Sequence, residues 1–298
     1  MILVTGANGR PGSAVVREFA QHGHPVRALV RDPAKATALE ELAGVETVVG
    51  DMLWPDTLTA ALDGVEGVLM ISGAGPDMLE TQCTFIDAAK RAGVEHIVKF
   101  SGDDHITGWE PEKFRSTRSH EQVQRYLLAS GVPWTVLRPS QFMEVYFEEV
   151  PDIVGRDELR LPMGAATLVP VAIADIAKVA HAVLTTDGHQ FNTYRMTGPQ
   201  ALPAAQIAES ISAAVGRTIR YVDVDPQVKR NEWLSRGYPP PRADAFVQLF
   251  DERRRLAAAT VNLATHRQFG IEPTTFHQFA AQHADIFRGA RMYRSAAV

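Results

Sequence analysis

Met1-Ile2-Leu3-Val4-Thr5-Gly6-Ala7-Asn8-Gly9-Arg10-Pro11-Gly12 opens the chain, and its character changes twice: an apolar β-rich run, three glycines three residues apart, then a helical pattern. Glycine permits a tight turn and a close approach of backbone to a ligand. The helix that follows offers free N–H groups and a positive dipole end to an anion. Glycine spacing alone is a weak signal; the strand before it and the helix after it supply the context that gives it meaning. The stretch predicts a dinucleotide site in which Gly6, Asn8, Gly9, Arg10, Pro11 and Gly12 surround the pyrophosphate.

Outward from this turn, strands are predicted at 1–5, 25–30, 45–49, 67–72, 95–100 and 133–138. Amphipathic helices separate them at 12–22, 34–43, 56–62, 78–92 and 117–130, with Gly93 and Gly131 where helices stop. Six strands alternating with helices predict an α/β fold, a doubly wound parallel Rossmann sheet whose ligands lie at the carboxyl ends of the strands. Residues 1–150 form that dinucleotide-binding domain. Within 151–298 the rhythm loosens; 167–198 read as a return to the sheet, with a turn and helix after Leu168 and a strand at 192–196. The rest reads as a smaller, mostly helical substrate or lid domain, with helices near 203–215, 226–236, 242–264 and 274–287 and a strand at 218–224. Pro239-Pro240-Pro241 reads as a stiff spacer between helices.

At the end of the second strand, where NAD enzymes of this architecture place an acidic residue on the ribose, this chain has Val30-Arg31-Asp32-Pro33. A guanidinium there suits a 2′-phosphate, and Arg10 can reach the same region, so the cofactor expected is NADP(H). The competing account makes both arginines solvated and gives the ribose to Asp32. Asp51 and Met52 after the third strand, and Ser72-Gly73 after the fourth, stand where adenine and the riboses would run, though each also reads as an ordinary turn. Lys99 and Pro139, at the ends of the fifth and sixth strands, are counted with the cofactor residues.

The 298 residues are 45% hydrophobic and 22% charged, with a formal net charge of −5, ordinary values for a globular chain with a large core. The acidic balance gives no general attraction to nucleic acid, and Lys229-Arg230 and Arg253-Arg254-Arg255 read as short helix-face charges. One cysteine, Cys83, excludes an internal disulfide. No apolar run approaches the ~20 residues needed to span a bilayer, and the start lacks a basic leader, so a cytoplasmic location is expected. Asp103-Asp104-His105 could suggest a metal, but no second histidine stands at ligand spacing, so a solvated loop without metal is the expectation.

Several stretches together resemble the NmrA-like family of atypical short-chain dehydrogenase/reductases: residues 4–12, Val98-Lys99-Phe100-Ser101, Ser119-His120-Glu121-Gln122-Val123, residues 130–139, Phe142-Met143-Glu144, and Asp175-Ile176-Ala177. The likeness covers roughly the first 200 residues. The wider superfamily uses a Tyr-x-x-x-Lys pair, and here none of the six tyrosines is followed by lysine four places on. Counting back from Gly131, His120 takes the lysine position and Ser116 the tyrosine position.

The resemblance implies a reductase passing hydride to an electrophilic acceptor such as a quinone, enone, imine or dye, which needs no strong acid. His120 and Ser101 are the catalytic candidates. Each has a plain alternative, a core histidine and a turn cap. Phe142, Met143 and Tyr146, with Trp109, would wall the substrate site, against a core-packing account. The other implied activity is a non-catalytic redox sensor of the NmrA type, which discriminates oxidised from reduced dinucleotide and acts through a protein partner. A homodimer is left open.

Overall fold

In the computed structural model, which describes residues 1–290, seven strands form one parallel sheet in the order β3-β2-β1-β4-β5-β6-β9. They are β1 (Ile2–Val4), β2 (Val26–Val30), β3 (Val45–Val49), β4 (Gly67–Met70), β5 (His96–Phe100), β6 (Trp134–Pro139) and β9 (Asn192–Met196). Helices α1 (Arg10–Gln21), α2 (Thr37–Glu40), α3 (Thr59–Leu62), α4 (Met78–Arg91) and α5 (Arg115–Ala129) connect the first six. Every residue of β4 and β5 is buried, as expected of central parallel strands covered on both faces. The strand order reverses between β1 and β4, and a doubly wound sheet opens its ligand crevice at that point.

After β6 the chain leaves the sheet through α6 (Val150–Arg156), β7 (Glu158–Leu161) and β8 (Thr167–Leu168), and returns with α7 (Ile173–Thr185) and β9. Helix α7 packs on α1, and β9 pairs with β6. Then β10 (Leu202–Pro203), α8 (Ala204–Val215), β11 (Arg220–Asp223), α9 (Pro226–Ser235) and α10 (Pro240–Leu256) build a second apolar centre. The chain continues through α11 (Ala264–Phe269), α12 (Phe276–Gln282) and α13 (Ala284–Phe287). This second centre gathers Tyr146, Leu159, Ile211, Phe276, Phe279 and Phe287, all essentially without exposure.

Three local expectations fail for physical reasons. The helices expected at 34–43 and 56–62 shrink to single α-turns, each preceded by a tight 3-10 turn that starts at Pro33 or Pro55. The proline run is no spacer: Pro240 and Pro241 form the first turn of α10, where a missing N–H costs nothing. The helix expected over 242–264 ends at Leu256, where Ala257 takes a positive φ of 62°. The chain then runs back to the sheet, and Phe269 and Ile271 pack into the core beside β9.

The basic residues of the two short runs at 229–230 and 253–255 are all ion-paired, Lys229 and Arg253 in the interior and Arg230, Arg254 and Arg255 at the surface. Lys229 is fully buried, 2.5 Å from Glu149, so it is not a helix-face charge. Arg230 meets Asp244 at 2.6 Å, Arg254 meets Asp223 at 2.6 Å, and Arg255 meets Glu252 at 2.6 Å. Asp104 and Arg253, 2.5 Å apart and nearly buried, tie the loop after β5 to α10. No helix among the described residues is long and apolar enough to cross a membrane. Tyr293 lies outside the described residues.

Because Asp104 has almost no contact with water, removing its partner should leave an uncompensated charge. Arg253→Ala is expected to lower unfolding free energy by about 3–5 kcal/mol, measured by urea denaturation, whereas Asp104→Asn/Arg253→Met should lose markedly less.

Candidate functional site

The glycine turn is held from below by Thr5, whose hydroxyl donates to the Ile71 carbonyl at 2.7 Å and accepts from the Ile71 amide at 2.8 Å. This locks the exit of β1 to the end of β4. Gly6 has φ +58°, and a Cβ there would lie 2.9 Å from the Ile71 carbonyl oxygen. A Cβ on Gly12 would come within 2.3 Å of the Gly6 carbonyl oxygen. No side chain fits at either point, so α1 starts directly against the turn with Gly9 at its cap and Pro11 in its first turn. The backbone donors at the start of α1 lack intrahelical partners, and the cradle fits a dinucleotide pyrophosphate.

Around this cradle the expected residues divide. Arg31 is exposed just past β2, while Asp32 accepts from the Ala34 amide at 3.0 Å as a cap. Arg31 thus remains an exposed basic side chain at the end of β2. Arg10 does not point there. Its guanidinium donates to the Glu144 carbonyl at 3.2 Å and to the Glu148 carboxylate at 3.3 Å, because the segment after β6 folds over the turn. Asp51 accepts from the Leu53 amide at 2.9 Å, and Met52 is buried. Ser72 accepts from Gln82 at 2.8 Å, and Gly73 beside it is exposed. Asn8 is half-buried, and Pro139 is buried at the end of β6.

Lys99, expected on the cofactor, is fully buried, with its ammonium turned to His120 of α5. Side chains alternate across a strand, so it shares the α5 face of the sheet with Ser101. Its ammonium meets Nδ1 of His120 at 3.1 Å and donates to the Phe100 carbonyl at 3.3 Å. His120 stands in the second turn of α5, above the buried Val123 and Leu127. Burial, then the charges of Lys99 and Arg138, hold its imidazole well below the ordinary histidine range, so the ring is neutral at pH 7. Burial, helped by Arg138 and opposed by Glu121, pushes the Lys99 ammonium down to about 7. The Ser101 hydroxyl oxygen is buried at the end of β5 with no hydrogen-bond partner among the described residues.

Beyond this group Arg138 bonds Glu121, and also Gln124 at 3.0 Å, while Arg195 bonds Asp103. With Asp104 held by Arg253, the loop of Asp103, Asp104 and His105 is pinned rather than solvated. A cavity of about 110 Å³ opens beside it, lined by Asp103, Trp109, Thr117, Glu121, Arg138 and Arg195. Trp109 stacks on Phe114 at 4.6 Å and faces that cavity. Phe142 is half-buried against Phe100, whereas Met143 and Tyr146 lie in the second core and present no surface to a ligand. The register of the segment after β6 turns both inward, which alternation of apolar residues alone does not reveal.

Sequence reasoning missed the polar ring of Asp103, Glu121, Arg138 and Arg195, which comes from four separate elements. It also missed Glu144, which accepts from the Ile173 amide at 3.1 Å at the start of α7 and whose carboxyl burial pushes up to about 7.

Comparison with known proteins shows the family and the fold. The model of the NmrA-like family matches residues 1–279. The chain is 36% identical to an NAD(P)H azoreductase of Xenophilus azovorans, over 97% of this chain and 100% of that protein. It is 34% identical to a (4-alkanoyl-5-oxo-2,5-dihydrofuran-3-yl)methyl phosphate reductase of Streptomyces griseus, over 96% and 99% of the two. The Escherichia coli NADPH-dependent quinone oxidoreductase QOR2, solved with NADPH, superposes with a TM-score of 0.82 at 25% identity, covering 95% of this chain and 99% of that one.

Gly12→Ala forces a methyl into the turn backbone. It should cost about 1–3 kcal/mol of stability and also remove most of the rise in melting temperature that NADPH gives the unaltered protein; a thermal melt with and without nucleotide checks both.

Proposed function

The chain belongs to the NmrA-like family, and from that premise we propose that it is an NADPH-dependent reductase of small electrophilic acceptors such as a quinone, enone, imine or dye. The observation that carries this is the buried Ser101 hydroxyl, unpartnered among the described residues, at the end of the strand that carries Lys99 of the Lys99–His120 pair. A buried hydroxyl left unpaired costs about 1–3 kcal/mol, and an acceptor oxygen or nitrogen at the end of β5 would repair it. The similarity to an azoreductase, a dihydrofuran phosphate reductase and a quinone oxidoreductase supports the same reading.

Gly6, Gly9 and Gly12 would hold the pyrophosphate, Arg31 the 2′-phosphate, and the end of β5 the reacting end. Bound NADPH supplies a hydride. Ser101 orients the acceptor by donating to its heteroatom, and neutral His120 offers a proton once negative charge has formed there. Conjugated acceptors carry that charge themselves, which is why the site can do without a tyrosine and lysine pair. Most of the acceleration then comes from positioning. Trp109 and Phe142 supply flat apolar surface for the ring. The proposal extends to a cytoplasmic location, suited to a lone half-buried thiol, and to a homodimer covering the exposed Tyr126 and Leu128 of α5.

Two measurements check this. Purified protein given NADPH and a panel of quinones, enones, imines and azo dyes should consume reduced nicotinamide; tight binding with no turnover on any of them would make the protein a nucleotide sensor instead. Arg31→Glu should weaken NADPH binding by about 1–3 kcal/mol, the worth of a hydrogen bond to a charged group, while leaving NADH affinity unchanged. Equal losses for both nucleotides would remove Arg31 from the 2′-phosphate.

A further inference from the structure

A lysine with no exposure in an interior strand of a parallel sheet is an expensive choice, because taking an ammonium out of water costs several kcal/mol unless a carboxylate meets it. Among the described residues Lys99 has no such partner. The groups facing it are Cys83 from α4, His120 and Glu121 from α5, and Arg138 from β6. Glu121 is spent on Arg138. What the ammonium touches is the Phe100 carbonyl and one nitrogen of a neutral imidazole. His120 itself is only half-buried, and its Nε2 makes no hydrogen bond among the described residues. A ring held at Nδ1 from inside the sheet and open at Nε2 has its tautomer set by the inner partner.

We propose that Lys99 is a positioning residue that acts through His120: it fixes the Nε2–H tautomer, which points a donor outward, and passes a proton to Nδ1 as Nε2 gives one up. This rests on the reductase reading above. Hydride arriving at the acceptor forms one new bond and drives an electron pair onto oxygen or nitrogen. That anion takes the Nε2 proton, and the Nε2–H bond breaks. Nδ1 takes one proton from the Lys99 ammonium, leaving His120 neutral in the other tautomer and Lys99 a neutral amine that accepts from Nδ1–H. One proton from solvent restores the starting state. No free imidazolium forms, which suits a ring between Lys99 and Arg138, where a positive charge is disfavoured. A neutral amine is the form of Lys99 that burial favours, and its ammonium is already lowered to about 7.

The test reads the ring as well as turnover. In the unaltered protein, histidine ¹⁵N shifts should report His120 as Nε2–H on the acid side and as Nδ1–H on the alkaline side, with a midpoint near pH 7. A single tautomer throughout the titration overturns the proposal. Lys99→Met replaces a buried charge with an apolar chain of similar length, a change that folded proteins commonly tolerate. It should abolish the tautomer transition, lower kcat by about 100-fold, the scale of general acid catalysis, and leave the KM for NADPH unchanged. The alkaline fall in kcat should vanish with it. Retention of that fall in Lys99→Met overturns the proposal. If the unaltered protein reduces no acceptor, the reductase reading fails, and the nitrogen shifts still decide whether Lys99 governs His120.

Discussion

The start of α1 rests against the glycine turn with no room between them: a methyl group on Gly12 would lie 2.3 Å from the Gly6 carbonyl oxygen. Much of the molecule follows from that contact. It brings α1 onto the sheet so that Val15, Val16 and Phe19 are buried, and α7 packs on the same helix. It also aims the amino terminus of α1 into the crevice where the strand order reverses. An anion there gains from both the free donors and the dipole, so fold and cofactor site share one geometric requirement.

A second constraint is electrostatic. Four charged side chains, Asp103, Glu121, Arg138 and Arg195, converge near the ends of β5, β6 and β9 and neutralise one another in pairs. Lys99 is buried under α5 near Arg138 and Glu121 of that group, and burial before all else makes its charge easily given up. Glu148 plays the corresponding part between the two cores: it meets Arg10 from the glycine turn at 3.3 Å, Tyr238 at 2.6 Å and Arg242 at 3.8 Å.

Much of the fold is legible in the sequence because apolar periodicity, glycine stops and short crossovers are local signals. The central strands and the helices α1, α4 and α5 stand where those signals put them. The failures are local too: at Pro33, Pro55 and Pro239-Pro240-Pro241 the sequence shows a proline, but whether it starts a short turn, a long helix or a spacer depends on what the next segment packs against.

The candidate site divides along a different line. Residues whose role is backbone shape, Gly6, Gly9 and Gly12, could be named from order and spacing alone, since the constraint acts within the twelve residues that carry it. The absence of a Tyr-x-x-x-Lys pair is likewise a fact of the sequence. Residues whose role is a side-chain contact could not be read so far. Arg10 turned to Glu144 and Glu148, Tyr146 and Met143 turned into the second core, and Lys99 turned under α5 to His120. Partners 21 to 138 residues apart in the chain decide each polar contact, and only packing brings them together. The sequence by itself determined a strand, glycine turn and helix fit for a dinucleotide. The tertiary structure decided which charges face one another around it, because burial and distance, not residue type, set the protonation state of a lysine and a histidine.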